Sequence, residues 1–129
     1  MSKKQVIIQS FNPKFSILRL TSNSPQEGYY YQPHVWEPPT DFYETDDQYV
    51  IRIEIAGMKE QDFDIFYENH TIKIRGVRYE SPDHKAFHQM EIRFGEFYTE
   101  FRLPTDILPE EIFAQYQNGF LIVSIPKGL

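Results

Sequence analysis

Four histidines are the side chains in this sequence best suited to metal binding or acid–base chemistry. His34, His70, His84 and His88 lie in separate connecting segments and not in pairs at ligand spacing. A zinc centre needs three or four protein donors that converge on one point. A metal site built from Asp83, His84 and His88 is one interpretation, but the spacing favours a solvated or interface role. We therefore predict no metal site.

Motifs for nucleotide or acyl chemistry are also missing from the sequence. It contains no G-x-x-x-x-G-K phosphate loop, no G-x-S-x-G nucleophile elbow and no cysteine. Its many carboxylates alternate with apolar residues, as on the outer faces of strands, so we interpret them as solubilising charges. We expect a protein that is not an enzyme and needs no cofactor.

Net charge differs sharply between two parts of the chain. Residues 1–26 contain four basic and no acidic residues, a charge of +4, whereas the remainder carries 9 basic and 19 acidic residues, or −10. This balance argues against nucleic acid as the main partner. No apolar run approaches the roughly 18 residues of a membrane span, and the lack of cysteine fits a reducing compartment, so we predict a cytoplasmic location. A mitochondrial transit peptide is an alternative, but the acid-free segment has one arginine and no helical amphipathicity.

Residues 1–35 predict a mobile N-terminal arm. They show no sustained period of 2 or 3.6 and are interrupted by three prolines and a glycine. The arm is nevertheless too apolar for a solvated tail, so we expect a partner to cover it part of the time. Its apolar residues include Val6, Ile7, Ile8, Phe11, Phe15, Ile17, Leu18, Leu20 and the triplet from Tyr29 to Tyr31.

From Trp36 onward, apolar and polar residues alternate with the period of 2 that is typical of strands. The clearest predicted strands cover residues 49–55, 63–67, 71–75, 97–103, 112–116 and 120–125. The dipeptide Asn118-Gly119 predicts a tight hairpin turn. About seven short, half-buried strands without a helical repeat favour an all-β fold, an antiparallel β-sandwich. The polar stretch 78–88 is long for a hairpin loop and is interpreted as a partner-contacting excursion.

Several separate motifs from Trp36 to Lys127 resemble the alpha-crystallin domain of bacterial and plant small heat-shock proteins. They occur in the family's order and at roughly its spacing. The matching residues are Trp36, Pro38, Asp41, Glu44, the 49–55 strand, Gly57, Ile72, Ile74, Gly76, Arg78, His88, Glu91, Gly95, Phe97, Phe101, Leu103, Pro104, Ala114, Asn118, Gly119, Leu121, Pro126 and Lys127. The resemblance divides the chain into an arm (1–35), an alpha-crystallin-type domain (36–127) and a truncated C-terminal extension (128–129).

The resemblance implies an immunoglobulin-like sandwich that dimerises by strand exchange. Ala86, Phe87 and His88 would form the exchanged strand. They would pair with the partner's edge strand, which contains Asp41, Phe42 and Tyr43. Such pairing would cover a strand edge that otherwise invites aggregation.

The function implied by the resemblance is that of an ATP-independent holdase. It would bind non-native client proteins under stress and leave their release to ATP-dependent chaperones. The candidate client-binding residues of the arm are Phe11, Phe15, Ile17, Leu18 and Leu20. The alternative is an adaptor of the related CS-domain type, which docks one specific partner; general anti-aggregation activity would distinguish the two.

Three departures from the family pattern bear on assembly. Thr99 stands where many members keep an arginine, which puts the usual ion pair in doubt. Ala56-Gly57 replaces a Pro-Gly and still permits a turn. The sequence ends at Leu129, before the family's I-x-I anchor, so we do not assume a large oligomer.

Val6 and Ile8 have the spacing of a V-x-I anchor, with both side chains on one side of an extended strand. We hypothesise that they replace the C-terminal anchor and occupy a groove between two strand edges. The groove residues implied by the resemblance are Phe63, Ile65, Tyr67, Ile112 and Ala114. The alternative that residues 6–8 contact clients directly stays open.

Overall fold

The computed structural model describes residues 35–128 as seven strands in two antiparallel sheets. The strands are β1 (Thr40–Glu44), β2 (Gln48–Glu54), β3 (Phe63–Glu68), β4 (Thr71–Arg78), β5 (Gly95–Arg102), β6 (Phe113–Gln117) and β7 (Phe120–Pro126). One sheet has the order β1-β2-β7-β6 and the other the order β3-β4-β5. The predicted all-β sandwich is confirmed. The helices within residues 35–128 are two 3-10 turns, Glu60–Asp62 and Pro109–Glu111.

No helix within residues 35–128 combines the length and the apolar character needed to cross a membrane.

The core lies between the two sheets and follows the alternation in the sequence. On β2, Tyr49, Ile51 and Ile53 are buried while Arg52 and Glu54 on the opposite face are exposed. Every strand of the two sheets contributes inward side chains in this way, which removes them from water. The other buried apolar residues of the core include Ile65, Ile72, Ile74, Phe97, Ala114, Leu121, Val123 and Ile125.

The sheets stack so that β1 lies over β5 and β6 lies over β3. The ring centroids of Phe42 and Phe101 are 4.8 Å apart, and those of Phe63 and Tyr116 are 5.2 Å apart. Aromatic contacts therefore join the two sheets at both lateral sides of the sandwich, which we call the β1–β5 side and the β3–β6 side.

Two hairpins use turns with positive φ at both central residues. The β3–β4 turn has Asn69 (φ 54°) and His70 (φ 61°), and the β6–β7 turn has Asn118 (φ 56°) and Gly119 (φ 82°). Two-residue turns of this kind match the twist of the flanking strands. The predicted Asn-Gly hairpin is confirmed, and β3 continues one residue beyond the predicted strand, to Glu68.

Candidate functional site

The β1–β5 side exposes the backbone edge of β1. Because β1 is the terminal strand of its sheet, no strand of residues 35–128 pairs with its outer edge. Thr45 N donates to Gln48 O at 2.8 Å. Alternate residues of an antiparallel strand point toward its neighbour, so Thr40, Phe42 and Glu44 direct their amide and carbonyl groups outward. This edge can accept another strand.

Neighbouring cations neutralise both acidic residues of β1. Arg52 Nη2 lies 2.6 Å from Asp41 Oδ2, and Lys127 Nζ lies 2.7 Å from Glu44 Oε2. The hydrogen bond to Asp41 raises the pKa of Arg52, and the hydrogen bond to Glu44 raises the pKa of Lys127. The edge therefore does not oppose an approaching strand with unpaired negative charge.

The three edge residues predicted for strand exchange have different roles in the single chain. Phe42 faces the core, where its ring packs against Phe101 and Tyr49. Asp41 and Tyr43 lie on the outer face of the sheet and are exposed. Phe42 therefore offers a partner only its backbone, while Asp41 and Tyr43 also offer side chains.

The β4–β5 connection is far longer than the register requires. Arg78 is the Cα partner of Gly95, so residues 79–94, sixteen in all, connect two strand ends that already lie side by side. Two to five residues would suffice for such a hairpin. Residues 79–93 are all exposed, including Tyr79 at 75%, Phe87 at 50%, and Met90 and Ile92 at 65% each. We call residues 79–94 the excursion; its exposed apolar side chains are a candidate interaction surface.

The predicted donor strand lies within the excursion. Ala86, Phe87 and His88 are exposed and belong to no strand of the described chain. Lys85 Nζ lies 5.7 Å from the centroid of the Phe87 ring. Their pairing with β1 of a second copy stays a prediction.

The β3–β6 side is closed by aromatic side chains. Besides contacting Phe63, Tyr116 donates its hydroxyl to Ile55 O at 2.8 Å and accepts from Met58 N at 3.1 Å. Tyr67 packs against the core from the same edge. Its burial, reinforced by the Asp106 carboxylate, raises the pKa of the Tyr67 phenol.

The five predicted groove residues separate into floor and rim at this side. Ile65, Ile112 and Ala114 are 0–3% exposed and can form only a floor, whereas Phe63 and Tyr67 are partly exposed. Ile112 precedes β6 because its amide closes the Pro109–Glu111 turn. An occupant of the groove would first meet Phe63 and Tyr67.

The departures at Thr99 and Ala56 have structural consequences. Thr99 is 2% exposed and donates its hydroxyl to Glu37 Oε2 at 3.1 Å. This contact ties β5 to the segment that leads into β1, and a threonine cannot form the ion pair of an arginine. Gly57 has φ 82°, so the turn after β2 forms as predicted.

Other sequence-based predictions fall outside the described residues. The candidate anchor, Val6 and Ile8, lies there, as do the candidate client-binding residues Phe11, Phe15, Ile17, Leu18 and Leu20. Within residues 35–128, no group of three or more histidine and carboxylate side chains is placed to hold a metal ion.

Fold and strand edges together define a β-sandwich of the alpha-crystallin class. A sequence profile of the Hsp20/alpha crystallin family matches residues 41–128. The chain belongs to this family, that of the small heat-shock proteins.

Curated relatives and solved structures are similar to the same region. Small heat shock protein C2 of Rickettsia felis is 36% identical over 92 residues, covering 70% of this chain and 60% of its own. The 17.4 kDa class I heat shock protein of rice is 32% identical over 90 residues, covering 67% and 58%. This chain thus spans about three fifths of the length of these relatives. A small heat-shock protein structure from Xylella fastidiosa has 27% identity and a TM-score of 0.66, covering 73% of this chain and 88% of that one.

Proposed function

We propose that this protein is a molecular chaperone that holds partly unfolded proteins and prevents their aggregation without ATP. The observation that carries the proposal is an exposed apolar excursion together with an open β1 edge, in a member of the small heat-shock family. Partly unfolded chains aggregate through the same features, exposed apolar surface and unpaired strand edges. A holdase competes with that self-association, so binding needs no nucleotide.

The working unit in this proposal is a homodimer formed by strand exchange. Ala86, Phe87 and His88 of each chain add to the β1 edge of the other. The added strand satisfies the outward amide and carbonyl groups of β1 and covers Phe87. Under twofold symmetry each chain donates one strand and accepts one, so both edges are covered together.

Clients bind mainly to the N-terminal arm in this proposal, through Phe11, Phe15, Ile17, Leu18 and Leu20. The acidic remainder of the chain, with its charge of −10, keeps such complexes dispersed. Release falls to ATP-dependent chaperones, which is inferred from the family alone. The cysteine-free sequence supports a cytoplasmic setting.

A second proposed contact places Val6 and Ile8 against the β3–β6 side. The partly exposed Phe63 and Tyr67 would form the rim that receives them. Burying each aliphatic side chain contributes roughly 1.5–3 kcal/mol before ordering costs. One arm therefore binds weakly, and only several arms together would hold a larger assembly.

Shortening the excursion tests the strand exchange. Replacing residues 80–92 with Gly-Asn-Gly keeps the β4–β5 hairpin closed, and we expect a folded monomer by light scattering and circular dichroism. A control with Ser81→Gly and Asp83→Gly alters polar residues of the same excursion and should remain dimeric. A shortened chain that still dimerises would contradict strand exchange.

Substitutions in the arm separate holding from assembly. Serine at the five client-binding positions should abolish protection of a heat-aggregating client and leave the dimer intact; undiminished protection would contradict that assignment.

Alanine at Val6 and Ile8 should reduce a larger assembly to dimers. Unchanged size with weaker protection would instead assign these two residues to client contact.

A further inference from the structure

One arginine closes the base of the excursion. Arg78, the last residue of β4, donates from Nε to Arg93 O at 3.0 Å and from Nη1 to Ala56 O at 3.1 Å. Arg93 lies where the excursion returns, and Ala56 lies just after β2. The guanidinium therefore joins segments that are 15 and 22 residues away in the chain.

Aromatic rings cover the same guanidinium. The Arg78 Cζ atom lies 4.9 Å from the Trp36 ring centroid and 5.2 Å from that of Phe94. A second cation, Arg93, has its Cζ atom 5.7 Å from the Trp36 ring. These distances are within the range of cation–π attraction. We call Arg78, Trp36, Arg93 and Phe94 the loop-base cluster.

Trp36 connects this cluster to the strand edge that would accept a partner. The indole is 8% exposed, and its Nε1 donates to Gly95 O at 3.2 Å. Its backbone joins β5 through a parallel bridge, with Trp36 N donating to Glu96 O at 3.0 Å. Four residues later the chain enters β1 at Thr40. Both ends of the excursion and the start of the β1 edge thus meet at one indole.

We propose that Arg78 is a positioning residue for dimerisation, which holds the base of the excursion in a fixed orientation relative to β1. The inference rests on the strand exchange proposed above. Twofold pairing requires each donor and its own chain's acceptor edge to fit the partner simultaneously. A base held in place before association leaves less orientational freedom to lose on binding.

Arginine is suited to this role in a way that lysine is not. Its planar fork donates to two carbonyl oxygens in different directions while its face stacks on aromatic rings. A lysine keeps the charge, but its compact ammonium cannot reproduce this geometry. Arg78→Lys should therefore loosen the base while preserving the net charge.

The test measures the dimer dissociation constant by sedimentation over a dilution series of the full chain. Since each dimer contains two clusters, we expect Arg78→Lys to weaken it on the order of tenfold to a hundredfold. Trp36 is the single tryptophan of the chain, so acrylamide quenching of its emission reports the cluster directly. Quenching should increase in Arg78→Lys.

Two controls separate positioning from general stability. Arg102→Lys makes the same chemical change at an exposed position of β5. Tyr116→Phe weakens the β3–β6 side instead. Both should keep the wild-type dissociation constant and Trp36 quenching.

Either of two results overturns the role of Arg78 alone: an unchanged dissociation constant in Arg78→Lys, or equal weakening in Tyr116→Phe. A chain that stays dimeric without residues 80–92 overturns strand exchange and this inference together. The proposed holdase function is tested separately, by measuring the aggregation of a client protein.

Discussion

The two lateral sides of the sandwich differ in the side chains that surround them. At the β1–β5 side, the backbone of β1 is open and the adjacent excursion exposes Tyr79, Phe87, Met90 and Ile92. At the β3–β6 side, Tyr116 closes the gap with two hydrogen bonds and an aromatic contact. The difference therefore lies in the side chains: exposed apolar residues accompany the β1–β5 side, whereas hydrogen-bonded aromatic packing holds the two sheets together at the β3–β6 side.

A single ring links the two sides through the core. Phe97 on β5 is fully buried, with its ring centroid 5.9 Å from that of Trp36 and 6.1 Å from that of Phe63. Trp36 belongs to the loop-base cluster, and Phe63 to the rim of the β3–β6 side. A displacement of Phe97 should therefore disturb both sides at once.

The largest expected effect is that of Gly76→Ala, which should destabilise the packing at both sides of the sandwich. A Cβ atom at Gly76 would lie 2.6 Å from Phe97 Cζ and 2.7 Å from Asp62 O. Such overpacking should lower the free energy of unfolding by about 3 kcal/mol. Urea denaturation measures this change in the chain whose residues 80–92 are replaced with Gly-Asn-Gly, which we expect to be monomeric.

The matched control is Gly95→Ala. Gly95 has φ 103° and open space where a Cβ would lie, so only backbone strain of about 1–2 kcal/mol should result. Equal losses from the two substitutions would indicate that Phe97 moves aside easily, contrary to its proposed link between the sides.

Tyr116→Phe should weaken only the β3–β6 side. It removes one hydroxyl that serves Ile55 O and Met58 N and leaves both groups without that partner. We expect a loss of about 2 kcal/mol in the free energy of unfolding, measured by denaturation of the shortened chain. Weakening of the dimer by this substitution would show that the sides are not independent.

The smallest expected effect is a loss of stability at alkaline pH with contributions from both sides. The pKa of Lys127 is raised above 10.5 by Glu44, and that of Tyr67 above 10.0 by burial. In both cases the folded chain holds its proton more tightly, so stability falls as pH rises beyond about 10. Unfolding followed between pH 8 and 11.5 should show a shallower decline in Tyr67→Phe and in Glu44→Gln.

Glu44→Gln acts at the β1–β5 side and Tyr67→Phe at the β3–β6 side. Their effects on the alkaline loss of stability should therefore add in the double variant. A decline as steep as that of the wild-type chain in both single variants would remove these two groups as its cause.

Local patterns were sufficient to predict the strands and their turns. Period-2 alternation identified β2, β3 and β7, because side-chain direction alternates within a strand whatever its neighbours are. Asn118-Gly119 identified a hairpin through backbone preferences alone. Strand ends were less predictable: Glu68 joined β3, and β4 continued to Arg78 because β5 pairs with it along its full length.

The candidate site was predictable only in part. The excursion was recognisable by its polarity and length, and the resemblance indicated which residues to consider. The division of the groove into floor and rim was not predictable, because it depends on how β3 and β6 stack. This stacking buries Ile65, Ile112 and Ala114 and leaves Phe63 and Tyr67 at the rim. The loop-base cluster was missed, although an arginine at a strand end in a sequence with one tryptophan was a usable signal.

The amino-acid sequence by itself determined the all-β class, most strand positions, the tight turns and the family. These properties depend on residues close in the chain or on the order of motifs. Only the tertiary structure decided which strand edges stay open and where Arg78 finds its partners, because sheet order brings together Ala56, Arg93 and Trp36 from distant segments. The physical reason is that an edge is open or covered according to which strands become neighbours, and that choice is made by the whole core.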